Sequence, residues 1–147
     1  MKVDGECLCG ACAWEAEVDP GRVFLCHCED CQVQSGAAFR WTAIVPPESF
    51  ALTRGELRSW AKTAESGASR VLAFCPTCGT QVYGGPEEGA AGTLSLRIGP
   101  LAQSRDLKPV GQVWCRSRRD WLDDLPGLPG LSTQPGVPDA DGEAKLD

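Results

Sequence analysis

The stretch Cys75-Pro76-Thr77-Cys78-Gly79, "CPTCG", carries two thiols separated by two residues and closed by a glycine. Proline tightens entry to the turn, the spacing aims both sulfurs at one point, and glycine lets the backbone wrap beneath them. That is a zinc knuckle, and one knuckle supplies only two of the four ligands a structural zinc takes in tetrahedral array. Cys7-Leu8-Cys9-Gly10 is a complementary pair of thiols about 66 residues upstream. Cys7, Cys9, Cys75 and Cys78 together predict a four-cysteine site tying the first strand to the middle of the domain. Metal-binding energy there becomes folding energy. The bland alternative is four reduced, buried cysteines without metal.

Between the knuckles lies Cys26-His27-Cys28-Glu29-Asp30-Cys31, "CHCEDC", with the chain's single histidine inside it. An extended C-x-C followed by a helical turn brings Cys26, Cys28 and Cys31 onto one metal. Three protein ligands and a fourth position left open mark a catalytic zinc rather than a structural one. Two other readings stay open: Cys12 or Cys115 closes the site, or the loop holds an iron–sulfur cluster. In an extended C-x-C the middle side chain points the opposite way, so His27 reads as a supporting or substrate-contacting group rather than a ligand.

Charge counting narrows the chemistry. Zinc with four thiolates carries about −2 and has little Lewis acidity left, whereas with three it carries about −1 and accepts one more donor. A thiolate-rich site prefers sulfur to hard oxygen and deprotonates an incoming thiol at neutral pH. The chemistry indicated is the making or breaking of a carbon–sulfur bond on a small thiol. Cytosolic thiols of low molecular weight generally carry carboxylates, and arginine forks are their usual partners. Arg40 and Arg70 lie near the cysteine loops and are candidate substrate contacts. Arg116, Arg118 and Arg119 cluster later. Glu29, Asp30 and His27 are the nearest titratable groups for proton transfer.

The rest of the chain is consistent with a small zinc domain. Its 147 residues favour one domain, and 17 glycines and 11 prolines indicate many turns. A net charge of −6 and a pI near 4.8 argue against nucleic acid or anionic membranes as partners. No signal-peptide core opens the sequence, and no apolar run approaches the roughly 18 residues of a membrane span. The expected location is the cytoplasm, where disulfides are rare and nine cysteines read as metal ligands or reactive thiols.

Alternating segments at 11–18, 38–45, 56–62, 69–74 and 93–98 predict strands, each bounded by turn residues. Only Glu29 to Ser35 and Ser117 to Leu122 predict short helices. The result is a mainly β domain of short, curved antiparallel sheets over 1–124. The stretch 125–147, rich in proline, glycine and acid, reads as a tail, with at least 132–147 extended or disordered. The alternative is an arm docked through Leu125, Leu128 and Leu131.

"GECLCGAC" (5–12), "CHCEDCQVQSGAAF" (26–39) and "FCPTCGTQVY" (74–83) resemble the three signature blocks of the glutathione-dependent formaldehyde-activating enzyme family, which includes the centromere protein V proteins. The resemblance covers roughly residues 5 to 122. It implies a β-tent fold, with a structural zinc on Cys7, Cys9, Cys75 and Cys78 and a labile zinc on Cys26, Cys28 and Cys31. Gly36 and Phe39 match the middle block, and Arg70 matches the basic position before the last knuckle. Two positions depart from the pattern: Gln112 stands where a Pro-x-x-His histidine is common, and Ala102 follows Leu101 where an aspartate is common. The implied activity is a carbon–sulfur lyase on a thiol–aldehyde adduct such as S-hydroxymethylglutathione, with glutathione and a small aldehyde as partners. The alternatives are a non-catalytic zinc-binding interaction module and a redox sensor acting through Cys12 or Cys115.

Overall fold

Side chains alternate between buried and exposed positions along most of the chain, and this period of two builds strands. In a computed structural model, which describes residues 1–135, 137–139 and 142–143, β1 (Lys2–Glu6) buries Val3 and Gly5, and β2 (Ala13–Glu17) buries Trp14 and Ala16. These two pair antiparallel, and β2 pairs in turn with β5 (Phe50–Arg54), closing a three-stranded sheet.

The remaining long strands form a seven-stranded sheet. They are β3 (Val23–Cys26), β4 (Arg40–Val45), β6 (Arg58–Thr63), β7 (Ser69–Phe74), β8 (Gln81–Gly85), β9 (Leu94–Arg97) and β10 (Gly111–Val113). The order across the sheet is β10-β3-β4-β9-β8-β7-β6. Every pairing in it is antiparallel except β10 on β3, a three-residue parallel match that the antiparallel expectation did not include. All five predicted strand segments are present as β2, β4, β6, β7 and β9. The mainly β fold class is therefore the observed one.

Ala43 and Val45 of β4, with Leu94 and Leu96 of β9, meet Val3, Trp14 and Ala16 of the smaller sheet in one core. The opposite side chains of the same strands, Arg40 and Thr42 on β4 and Ser95 and Arg97 on β9, face away from it. That second face carries the polar and charged side chains of these two strands.

The one α-helix among the described residues, α1 (Glu29–Ser35), has the predicted bounds. The second expected helix, Ser117 to Leu122, is instead two 3-10 turns, Cys115–Ser117 and Asp120–Asp123, separated by extended Arg118 and Arg119. Leu122 alone is buried there, so no apolar stripe exists to hold a helix against the sheet. Past it, Leu125–Gly127 makes another 3-10 turn with Leu125 and Leu128 exposed. A two-residue ladder pairs β11 (Pro138–Asp139) with β12 (Gly142–Glu143). The expectation for 132–147 falls in part on residues 136, 140–141 and 144–147, which lie outside the described residues. Among the described residues no helix is long and apolar enough to cross a membrane.

Candidate active site

The two knuckles meet. Cys7, Cys9, Cys75 and Cys78 bring four sulfurs within 4.8 Å of one another, with Cys7 to Cys9 at 3.6 Å and Cys9 to Cys75 at 3.8 Å. A tetrahedron with Zn–S bonds of roughly 2.3 Å has edges of about 3.8 Å, so the sulfurs fit zinc. Gly79 turns the second knuckle at φ +74° and donates its N–H to the Cys75 carbonyl at 3.0 Å, the wrap that its sequence position predicts. Thr80 joins the knuckles: its hydroxyl accepts from the Leu8 N–H at 3.1 Å and lies 3.1 Å from Cys78 Sγ.

Ionisation within this group is uneven. The Thr80 hydroxyl, then the Thr80 N–H, holds Cys78 down to about 5. Cys75 is lowered by the Cys78 N–H and then, against burial, by the Thr77 N–H. For Cys9 the Ala11 N–H pulls downward, but burial and the thiols of Cys7, Cys78 and Cys75 outweigh it and carry the group up to about 12.

Cys26, Cys28 and Cys31 form a second sulfur cluster, again within 4.8 Å of one another. The end of β3 supplies Cys26. Cys28 occupies the N-cap of α1, its Sγ accepting from the Cys31 N–H at 3.4 Å, and Cys31 follows in the first turn. Cys31 Sγ donates to Cys26 Sγ at 3.4 Å, close to the tetrahedral edge. That bond lowers Cys26 and raises Cys31, while burial raises Cys28. Neither Cys12 nor Cys115 joins the cluster. Cys12 is buried, with its N–H on Cys7 Sγ and its thiol on the Glu56 carbonyl, and Cys115 is exposed. Among the described residues the group therefore offers three ligands.

These sulfurs edge a cleft of about 630 Å³ on the outer face of the large sheet. Its floor is built by strand register. Arg40 lies opposite Cys26, Thr42 opposite Arg97, and Lys62 opposite Arg70. Two ion pairs mark its rim: Lys62 of β6 meets Asp30 of α1, and Arg116 meets Glu65 with both contacts at 2.6 Å. Arg116 also lies 4.8 Å from the centre of the Trp114 ring, and Trp114 holds φ +60°.

The predicted substrate contacts divide. Arg70 lines the cleft. Arg40 lines it too, but its fork is engaged: Nη1 donates to Cys31 Sγ at 3.5 Å, and Nη2 donates to Gln34 Oε1 and, at 2.9 Å, to Gln81 Oε1. It fixes α1 and Cys31 rather than offering a free fork. His27 is fully buried and turned away from the cleft. Its Nε2 donates to Gln112 Oε1 at 2.8 Å, and its ring meets Phe39 edge-on at 5.7 Å. The two departures from the family pattern also lie away from the cleft, Gln112 on His27 and Ala102 bonded to the Asp4 carbonyl. Arg118 pairs with Asp123, and Arg119 donates to Gln32 Oε1.

Sequence reasoning missed Arg97. Only 6% of it is exposed, yet it lines the cleft. Burial, then Arg40, presses its guanidinium down to about 9. The signal was available: in "TLSLRI" (93–98) the polar residues 93, 95 and 97 alternate with Leu94, Leu96 and Ile98. An arginine on the polar face of a central strand must look into whatever covers that face.

The chain is similar to known proteins in sequence and in fold. A family model described as glutathione-dependent formaldehyde-activating enzyme matches residues 2–117. A Schizosaccharomyces pombe protein named as an uncharacterized lyase is 31% identical over 80 residues, covering 54% of this chain and 55% of that one. The chain thus spans about half the length of that curated relative. A crystal structure of a Rhodobacter sphaeroides protein shares the fold, with a TM-score of 0.58 at 21% identity, over 75% of this chain and 99% of that chain.

Proposed function

This chain belongs to the glutathione-dependent formaldehyde-activating enzyme family, and from that premise we propose that it is a zinc-dependent carbon–sulfur lyase acting on a thiol–aldehyde adduct such as S-hydroxymethylglutathione. The observation that carries the reading is the contrast between the two cysteine groups. Four sulfurs fill a tetrahedron at the knuckles, whereas three sulfurs stand one short at the edge of an open cleft.

In this reading Cys7, Cys9, Cys75 and Cys78 hold a structural zinc, and Cys26, Cys28 and Cys31 hold a labile one. When bound there, zinc supplies a soft fourth position that holds an incoming thiol as its thiolate. The residues of the chain do the rest. Cys28 fixes the start of α1, so the three sulfurs keep a common focus. Arg40 holds Cys31 from the β4 side and spreads positive charge over the thiolates. The addition forms one carbon–sulfur bond, opens the carbonyl π bond and delivers the thiol proton to the new hydroxyl oxygen; the lyase direction reverses each change. Glu29 lines the cleft and, unlike Asp30, has no ion-pair partner among the described residues, which makes it the carboxylate free to carry that proton. All nine cysteines are free, a state that suits the reducing cytoplasm where we place the reaction.

The test is exchange NMR of glutathione mixed with formaldehyde. Sub-stoichiometric zinc-loaded protein should accelerate interconversion of free and S-hydroxymethylated thiol, and Cys28→Ser should abolish the acceleration. Exchange no faster than in buffer, with glutathione and with other small thiols, overturns the enzyme reading in favour of a thiol-binding module.

A further inference from the structure

We propose that Trp60, Leu72 and Trp114, around the gap at Gly84, form a subsite for an aryl group on the aldehyde half of the adduct, so that the carbonyl partner is an aromatic aldehyde rather than formaldehyde alone. The inference rests on the lyase reading of the same cleft and adds the chemical class of the aldehyde.

The cleft divides by chemistry. At one end Arg40 donates to Cys31 Sγ at 3.5 Å, and Arg97 is drawn electrostatically to Cys31 and Cys26. Lys62 and Arg116 at the rim are held by Asp30 and Glu65. The other end is set by strand register. Trp60 of β6 lies opposite Leu72 of β7, Leu72 opposite Gly84 of β8, and Gly84 opposite Ser95 of β9. Residues in register share a face, and all four line the cleft. The row falls from an indole through a leucine to no side chain at all, which opens a slot over Gly84. A Cβ there would lie 3.0 Å from Leu72 Cδ2 and 3.1 Å from Arg97 Nη2, so even alanine crowds the slot.

Formaldehyde leaves these walls without a task. It adds one carbon and one oxygen to the sulfur and brings no apolar surface to bury. Yet Trp60 is 57% exposed and Trp114 42%, and both line the cleft. Two open indoles on the walls of one cleft mark a surface meant to be covered. Trp114 is also the one residue other than glycine with positive φ among the described residues, at +60°. A bulky side chain adopts that backbone only where its surroundings fix it. Arg116 does so from 4.8 Å off the ring centre, itself pinned by both oxygens of Glu65. The ring is thus set before a ligand arrives, which lowers the ordering cost of binding.

Arg70 turns the preference from aliphatic to aromatic. Its Nη2 donates to the Gly84 carbonyl at 3.5 Å and lines the same cleft, and a guanidinium beside the slot attracts the face of an aromatic ring. The bond changes are those of any thiol addition. Sulfur bonds the carbonyl carbon, the π electrons move to oxygen, and the thiol proton ends on that oxygen. Only the substituent on carbon differs, an aryl or arylmethyl group in place of hydrogen.

Calorimetric titration of the zinc-loaded protein with S-benzylglutathione and S-methylglutathione reads the subsite without turnover, because the two ligands share their thiol half. The benzyl ligand should bind wild type about 10- to 100-fold more tightly. Trp60→Ala should bring the two affinities within about threefold of each other, Gly84→Ala should lower the ratio, and Trp60→Phe should keep most of it. Trp114→Ala repeats the test should Trp60→Ala fail to fold by circular dichroism. In exchange NMR, acceleration relative to buffer should be larger for phenylacetaldehyde than for acetaldehyde, and Trp60→Ala should erase the difference. Equal affinities of the two ligands for wild type, or an undiminished ratio in the folded variants, overturn the subsite. Accelerated formaldehyde exchange without a benzyl preference leaves the lyase reading standing and removes the subsite. A benzyl preference that depends on Trp60, with no aldehyde exchange accelerated, keeps the aryl subsite and removes the lyase reading.

Discussion

A histidine between two cysteines invites assignment as a metal ligand, and His27 is instead a buried strut. The extended backbone that turns Cys26 and Cys28 to one side turns the imidazole to the other, where Gln112 and Phe39 receive it. Because Gln112 Oε1 can only accept, Nε2 carries the proton, and Nδ1 is left buried without a partner among the described residues. The ring therefore depends on one hydrogen bond. Gln112→Leu should destabilise the fold by about 1–3 kcal/mol, the penalty of stranding a buried polar group, and Gln112→His should recover part of it. Urea denaturation with zinc content measured in parallel is the check; a loss of metal with no loss of stability would instead make His27 part of the metal site. The cysteines differ in the same residue-by-residue way. Cys28→Ser should lower the metal content from two zinc ions per chain to one and leave a folded protein, because α1 retains its serine-type cap. Cys78→Ser should prevent folding, because it opens the group that joins two distant segments. Equal damage from both substitutions, read by circular dichroism and metal analysis, would sink this division.

At the scale of elements, the strands that sequence reading found are those with clear alternation. In β9 the pattern Leu94, Leu96 against Ser95, Arg97 separates core from cleft, and β4 repeats it. Leu96 is fully buried in the shared core, so Leu96→Ala should cost about 2–5 kcal/mol in chemical denaturation; a loss below about 1 kcal/mol would mean that the two sheets do not share that core. Two of the strands that escaped notice lack such a signal. β10 is three residues long and held by a parallel edge, and β8 ends in two glycines, which have no side chain to alternate. The helix misread at 117–122 has the opposite origin: its composition is acceptable for a helix, but Arg119 is drawn to Gln32 and Arg118 to Asp123. The cysteine groups were readable because ligand spacing is local. That Arg97 shares a cleft with the cysteines, and that the ion pairs close its rim, depends on contacts between segments far apart in sequence, which no local pattern encodes.

For the whole molecule, the two cysteine groups predict an order of events on acidification. Thiols bind zinc as thiolates, so protons compete wherever a ligand's own pKa stands above the ambient pH. In the knuckle group Cys78 is held down to about 5 and Cys75 is also lowered. A lowered thiol contributes stability that is fully present above its ordinary value of 9.0 and is lost only as pH falls through its folded value, for Cys78 about 5. Cys9, carried up to about 12, opposes this but is one ligand of four. In the cleft group the balance is reversed: Cys28 and Cys31 are raised, only Cys26 is lowered, and the group has one ligand fewer. Two of the three thiols that would hold the cleft zinc therefore take up protons more readily than ordinary thiols. Titrating the two-zinc protein from pH 8 toward 4 with a chromophoric chelator should release one equivalent first, with circular dichroism unchanged. The second equivalent should follow at lower pH together with loss of structure. Cys28→Ser should lack the first step and keep the second at the same pH. Release of both ions in a single step coincident with unfolding would show that the open group is as much a part of the fold as the knuckles.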